Sequence, residues 1–259
     1  MLNVSFGILN VNIWQATILG LVQGLTEFLP VSSSGHLAII GSIFGKIDAG
    51  ITFEVLLHLA TLIAVLYVYR KRIKTIDYKY IVLLVIASIP AGLVGVFFSD
   101  VIKKAFSAPI IIGVAFIFTG TILYLIGRRP EGSKEKVGYK EALGMGLAQA
   151  IAVLPGISRS GMTLSAGLLL GLKREEAAAF SFLMSVPVIA GAGLLEFKDL
   201  LEIGSIGGGI YLTIGFVVAV LTGILAIKLV QLLLKTDNFR YFSYYLWSLG
   251  VLTVIFSLV

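Results

Sequence analysis

The sequence predicts an all-α integral membrane protein with six transmembrane helices and two re-entrant helix–loop–helix hairpins in an inverted repeat. Three observations lead there. Apolar side chains make up 58% of the 259 residues and charged ones 13%, whereas a soluble domain carries about 45–50% and 25%. Six apolar segments approach the length of about 20 residues that crosses a hydrocarbon core about 30 Å thick. Two further apolar stretches are broken midway and resemble one another at a constant offset.

In chain order, the first broken stretch covers 12–45 and is interrupted by Pro30-Val31-Ser32-Ser33-Ser34-Gly35. The piece beyond the break is about 11 residues, or roughly 16 Å of helix. That is too short to cross, so the segment dips in and returns to the same side. Spans are expected at 53–69, 81–98 and 110–127. The second broken stretch, 142–171, is interrupted by Pro155-Gly156-Ile157-Ser158-Arg159-Ser160-Gly161 and reads the same way. The last three spans are expected at 177–195, 207–227 and 242–258. The whole chain, 1–259, reads as a single membrane domain with halves at about 1–128 and 140–259. Broken backbone survives at membrane depth only where protein or a wet cavity surrounds it.

The charges orient this layout. One side receives fifteen basic residues, among them Arg70, Lys71, Arg72, Lys74, Arg128, Arg129, Lys134 and Arg240; the other receives Lys46, Lys103, Lys104 and Lys198. The positive-inside rule places the first group in the cytoplasm. The first hairpin then opens outward and the second enters from the cytoplasm. Because the basic residues sit in short loops, the net charge of +6 reads as membrane topology and not as nucleic-acid affinity. The chain has no Cys and two His, which excludes disulfides and thiolate chemistry and argues against a His-rich zinc site. The first residues carry no charged n-region or small-residue cleavage site, so no removable signal peptide is expected.

The repeat supports the same architecture. Gly20-Leu21-Val22-Gln23 matches Gly146-Leu147-Ala148-Gln149 at an offset of 126. The same offset pairs Ser32-Ser33-Ser34-Gly35 with Ser158-Arg159-Ser160-Gly161, Gly41 with Gly167, and Gly45 with Gly171. Three spans after each hairpin make the halves inverted. Inverted repeats with broken helices place their site near midplane at the repeat interface.

Chemistry is scarce and therefore conspicuous. Glu27 and His36 lie in an otherwise uncharged run, and Arg159 sits at the tip of the other hairpin. Ionisable groups inside a membrane are costly and default to functional hypotheses. Gln23 and Glu27 are one turn apart and share a helix face. Arginine, hydroxyls and glycine-exposed N–H groups suit phosphate, and the helices restarting after Ser34 and Ser160 would aim their positive ends at it. Each residue also has a plainer explanation. Glu27 and Arg159 could be a structural ion pair, His36 a satisfied core histidine, and most of the serines loop caps. His58 reads as structural, and Trp14, Tyr67, Tyr69 and Trp247 as interface anchors.

Two stretches carry a family resemblance. Gln23-Gly24-Leu25-Thr26-Glu27-Phe28-Leu29-Pro30-Val31-Ser32-Ser33-Ser34-Gly35-His36 and Pro155-Gly156-Ile157-Ser158-Arg159-Ser160-Gly161-Met162-Thr163 resemble the two motifs of the undecaprenyl-diphosphatase family, also called the bacitracin-resistance family. The resemblance implies a multi-pass phosphatase of the plasma membrane with six spans and two re-entrant hairpins. It would remove the terminal phosphate of a polyprenyl diphosphate carrier lipid, recycling the carrier, with a divalent cation and often as a homodimer. Residue by residue it implies Glu27 as metal ligand or acid/base, Ser33 as nucleophile, His36 as an essential histidine and Arg159 as the phosphate-binding group. Ser158, Ser160 and Thr163 would complete the phosphate loop. Glu27 and Gln23 would hold Mg²⁺ or Ca²⁺, since oxygen ligands suit these hard cations. Gln23 stands where many members have a first glutamate, and an amide cannot take a proton at neutral pH. Three schemes stay open: attack by Ser33 with His36 as base, attack by His36, or attack by metal-bound water. The competing class is a lipid-phosphate flippase or anion transporter on the same repeat. The active site is expected toward the extracytoplasmic side.

Overall fold

The computed structural model describes residues 11–43, 50–203, 209–235 and 240–258, with no side-chain detail at 43, 50–52 and 195–203. Thirteen helices and no named strand occur among the described residues. The first hairpin is α1 (Ile13–Phe28) and α2 (Ser33–Ile43). It is followed by α3 (Gly50–Val68), a short α4 (Arg70–Ile73), α5 (Tyr78–Phe97), α6 (Ser99–Phe106) and α7 (Pro109–Ile126). The second hairpin is α8 (Tyr139–Ile151) and α9 (Arg159–Leu169). Then come α10 (Arg174–Leu183), α11 (Ser185–Ile203), α12 (Gly209–Leu233) and α13 (Tyr241–Leu258). The expected Gly45–Gly171 match and the outer-side Lys46 involve residues outside the described set.

Five stretches are long and apolar enough to cross a membrane: α5, α7, α10 with α11 to Leu194, α12 and α13. Phe53–Val68 of α3 is also apolar but shorter; it occupies the place of the first expected span. The fourth span departs from expectation by breaking at Met184, between α10 and α11. The cause is Pro187, which has no N–H to give and whose ring crowds the carbonyl four residues back, at Leu183. A further departure is α6, an amphipathic helix with Lys103 and Lys104 in its last turn, which periodicity over eight residues hides inside a loop.

Both hairpins start from well-made caps. Asn12 accepts from the Gln15 N–H and the Gln15 side chain returns to the Asn12 N–H, each at 2.9 Å. Glu141 does the same for α8 by accepting from the Gly138 N–H at 3.0 Å. Both hairpin tips then turn through left-handed backbone, at Ser32 (φ 68°) and at Gly156 (φ 89°). Glycine takes this conformation freely. At a serine it stores roughly 1–3 kcal/mol, which persists only where the surroundings hold it.

The halves interlock. The first helix of each hairpin packs on a span of the opposite half: α1 on α12, and α8 on α5. Gly20 backs onto the Gly215 backbone, and Gly146 onto that of Ala87. The last spans of the two halves, α7 and α13, meet at Gly113 and Gly250, where a Cβ on either would fall within 2.8 Å of the other's carbonyl oxygen. Small residues let membrane helices approach closely, the source of their packing energy where lipid removes the hydrophobic drive. Between the halves, the loop before α8 pairs with the turn after α9. Lys134 N–H donates to Gly171 O at 2.9 Å, and Lys173 N–H to Lys134 O at 2.8 Å. Ion pairs Lys134–Glu141 (2.6 Å) and Lys173–Glu135 (2.5 Å) reinforce it, so the entry and exit of the second hairpin are held together.

Candidate active site between the hairpin tips

The two second helices begin at Ser33 and Arg159, two residues earlier than expected. The reason lies in the serines before them. Ser158 is the N-cap of α9 and accepts from the Gly161 N–H at 3.1 Å; Ser32 stands likewise before α2, with Gly35 N–H at 3.4 Å. A serine in that place satisfies an orphan N–H of the first turn and starts the helix there. Ser33 and Arg159 are therefore repeat mates, each the first residue of its helix.

Both converge on one carboxylate. Arg159 Nη2 donates to Glu27 Oε1 at 2.5 Å, and Ser33 Oγ donates to Glu27 Oε2 at 2.6 Å. Gln23 Nε2 adds a third donor to Oε2 at 3.0 Å. Glu27 is 7% exposed and Gln23 fully buried, so the carboxylate is charged in a dry place and is balanced by these donors. The second hairpin's mate of Gln23 is Gln149, which donates to Ala87 O at 3.4 Å; Val153 stands at the mate of Glu27. One carboxylate therefore serves both tips.

His36 lies one turn into α2 but makes different contacts. Its Nδ1 is 2.7 Å from Ser32 O and its Nε2 2.6 Å from the Tyr245 hydroxyl. Phe116 meets the ring edge-on at 5.4 Å. Ser33 thus has Glu27, not His36, as its hydrogen-bond acceptor. The expected phosphate-loop residues are buried and engaged. Ser160 donates to Leu29 O at 3.0 Å, tying the second tip to the first. Thr163 donates to Arg159 O at 2.8 Å and contacts Ser181 Oγ at 2.5 Å. Ser158 N–H donates to Thr119 at 3.2 Å. These three frame the loop that presents Arg159.

A Cβ on Gly35 would lie 2.6 Å from the Phe116 ring and 3.0 Å from Gly156 Cα. The tips approach closely here because Gly35 has no Cβ; at Gly156 a Cβ would instead meet Ile112 O at 2.6 Å.

Three contributors escaped the sequence reading. His58 Nε2 lies 3.8 Å from Glu27 Oε2, so His58 faces the site. Its signal was present: Glu54 and His58 are an ionisable pair one turn apart within an apolar span. Ser181 and Tyr245 had no local signal. Tyr69, expected as an interface anchor, is instead buried, and its hydroxyl accepts from Gln231 at 3.1 Å; Trp14 and Tyr67 are exposed.

The donor set bears on a cation. Gln23 Oε1 is buried with no hydrogen-bond partner, an acceptor that costs free energy until something positive meets it. With the Glu27 carboxylate one turn away, it supplies the neutral and anionic oxygens that a hard divalent cation takes. The residues present fit such an ion.

The family model described as bacitracin resistance protein BacA matches residues 16–252. Among curated relatives, an undecaprenyl-diphosphatase of Carboxydothermus hydrogenoformans is 44% identical over 253 residues, covering 94% of this chain and 97% of its own. Another of Methanococcus vannielii is 46% identical, covering 92% and 98%. A third, of Methanosphaera stadtmanae, is 35% identical, covering 96% and 99%. The matched region contains both hairpins but for the first three residues of α1, the carboxylate they share and all but the last six residues of α13, and on that breadth the chain belongs to the bacitracin resistance protein BacA family.

Proposed function

We propose that this protein hydrolyses a polyprenyl diphosphate, of the undecaprenyl type, to the monophosphate and phosphate, recycling the carrier lipid. One observation carries the reading: a serine hydroxyl and an arginine guanidinium held on the two oxygens of one buried carboxylate. The substrate's tail belongs in lipid and its head is strongly anionic, which matches an apolar helix bundle with this cluster between its hairpin tips.

In the scheme this geometry favours, the incoming diphosphate competes with Glu27 for Arg159. Guanidinium binds phosphate by paired N–H groups, and neutralising phosphoryl oxygens contributes most to such catalysis. Glu27, released from Arg159, takes the proton that Ser33 Oγ already points at it. Ser33 Oγ bonds to the terminal phosphorus as the phosphorus–oxygen bond to the polyprenyl phosphate breaks. Water then attacks the phosphoserine, giving up its proton to His36 Nε2, and Ser33 recovers its own from Glu27. A divalent cation held by Gln23 and Glu27 would supply positive charge to the diphosphate. The transfer of Ser33's proton to Glu27 replaces His36 as first base and leaves His36 for the second step.

The cluster belongs, in this reading, to the extracytoplasmic half of the plasma membrane. The positive-inside asymmetry supports that side. The decisive experiment is phosphate release from polyprenyl diphosphate by purified protein in detergent. A flippase or anion carrier has no sides to work between in detergent and would release none.

A further inference from the structure

Tyr245 brings the last helix into contact with the site. It lies in α13 and is 48% exposed. Its hydroxyl lies 2.6 Å from His36 Nε2. The two rings stack at 5.7 Å with 10° between their planes. His36 also meets Phe116 edge-on, so two aromatic rings pack against the imidazole.

The hydrogen-bond roles rest on chemistry. Ser32 O is a carbonyl and can only accept, so His36 Nδ1 carries the proton of that 2.7 Å bond. In the neutral ring Nε2 then has the lone pair, and the tyrosine hydroxyl is the donor. Nε2 is the only ring nitrogen with a lone pair to offer, and Tyr245 covers it.

We propose that Tyr245 is a positioning residue for the reaction above: it holds His36 in the Nδ1–H tautomer and caps the basic Nε2 at the exposed edge of the site. The proposal rests on the hydrolase reading for its catalytic meaning. In the resting enzyme the cap supplies the donor that the Nε2 lone pair would otherwise lack. When the phosphoserine forms, the phenol yields Nε2 to the attacking water and continues to fix the ring by stacking. The tautomer is set at Ser32, whose left-handed backbone (φ 68°) turns its carbonyl to Nδ1. The strained serine and the distant tyrosine thus act on opposite nitrogens of one ring.

The test uses the whole protein in detergent with ¹⁵N-labelled histidine. The chain has two histidines, so a His58→Asn sample separates the signals. Wild type should show His36 as the Nδ1–H tautomer with its Nε2 resonance displaced by a hydrogen bond. Tyr245→Phe keeps the ring and removes only the donor. Its Nε2 resonance should move toward that of a free imine nitrogen, and kcat for phosphate release should fall about tenfold with KM unchanged. Tyr244→Phe, a half-exposed neighbour in the Tyr124–Trp247 ring cluster, should alter neither. An unchanged Nε2 resonance in Tyr245→Phe overturns the contact whatever the activity. A displaced resonance with unaltered kcat overturns the positioning role. A wild type that shows the bond but releases no phosphate refutes the hydrolase reading and leaves the contact standing.

Discussion

Glu27 and Arg159 hold each other in the substrate-free protein, and their removal one at a time should be asymmetric. The pair is 2.5 Å apart, with side chains 6% and 17% exposed. Breaking a buried pair from one side costs about 3–5 kcal/mol, because the other charge is stranded. In Arg159→Met the stranded carboxylate keeps Ser33 at 2.6 Å and Gln23 at 3.0 Å, which puts the loss near about 3 kcal/mol, the low end of that range. In Glu27→Leu the guanidinium keeps, among the described residues, only the long contact to Ser181 O, at 3.4 Å, which puts the loss near about 5 kcal/mol, the high end. The double variant replaces the pair with apolar groups of similar volume and strands only the neutral donors of Ser33 and Gln23. It should lie within about 2 kcal/mol of wild type. The assay is equilibrium unfolding of the purified protein in detergent, with gel filtration to establish folding of each variant. The expected order is wild type, double variant, Arg159→Met, Glu27→Leu. A double variant whose loss equals the sum of the singles would refute the reasoning, because it would mean the two charges do not interact.

The same geometry sets further expectations. Ser33→Ala should lower phosphate release by orders of magnitude, since water lacks a positioned oxygen; residual activity near wild type, measured at saturating substrate, would remove serine from the scheme. EDTA should abolish release and millimolar Mg²⁺ or Ca²⁺ restore it, and Gln23→Glu should tighten Mn²⁺ binding, read by electron paramagnetic resonance, by adding a ligand charge. Gly35→Ala should displace Phe116 and separate the tips, costing about 1–3 kcal/mol of stability, read by the same unfolding assay. For sidedness, a membrane-impermeant thiol reagent applied outside cells should label a cysteine placed at Lys103 and not one at Lys74; the reverse pattern would invert the orientation.

Much of this protein is written in short range. Apolar runs long enough to cross a bilayer declare themselves without any tertiary knowledge, because lipid forces every backbone group to find its partner within its own helix. The broken stretches were legible for the same reason: Pro30 and Pro155 interrupt helices that are then too short to cross. The constant offset linking Ser32-Ser33-Ser34-Gly35 to Ser158-Arg159-Ser160-Gly161 foretold that two tips share a design. Glu27, His36 and Arg159 stood out because charge in an apolar run is expensive. What no local pattern holds is who meets whom. That Ser33 donates to Glu27 while His36, on the same helix, turns to Tyr245 depends on side-chain directions and on α13, 209 residues away. His58 reaches Glu27 only because α3 packs beside α1. The hydroxyls of Ser160 and Thr163 also knit the loops, since a buried hydroxyl takes whatever partner the packing brings nearest. Sequence periodicity determines which residues enter the membrane, being a property of each helix alone; which groups share a proton or a charge is decided by contacts between helices, and those exist only once the two halves have interlocked.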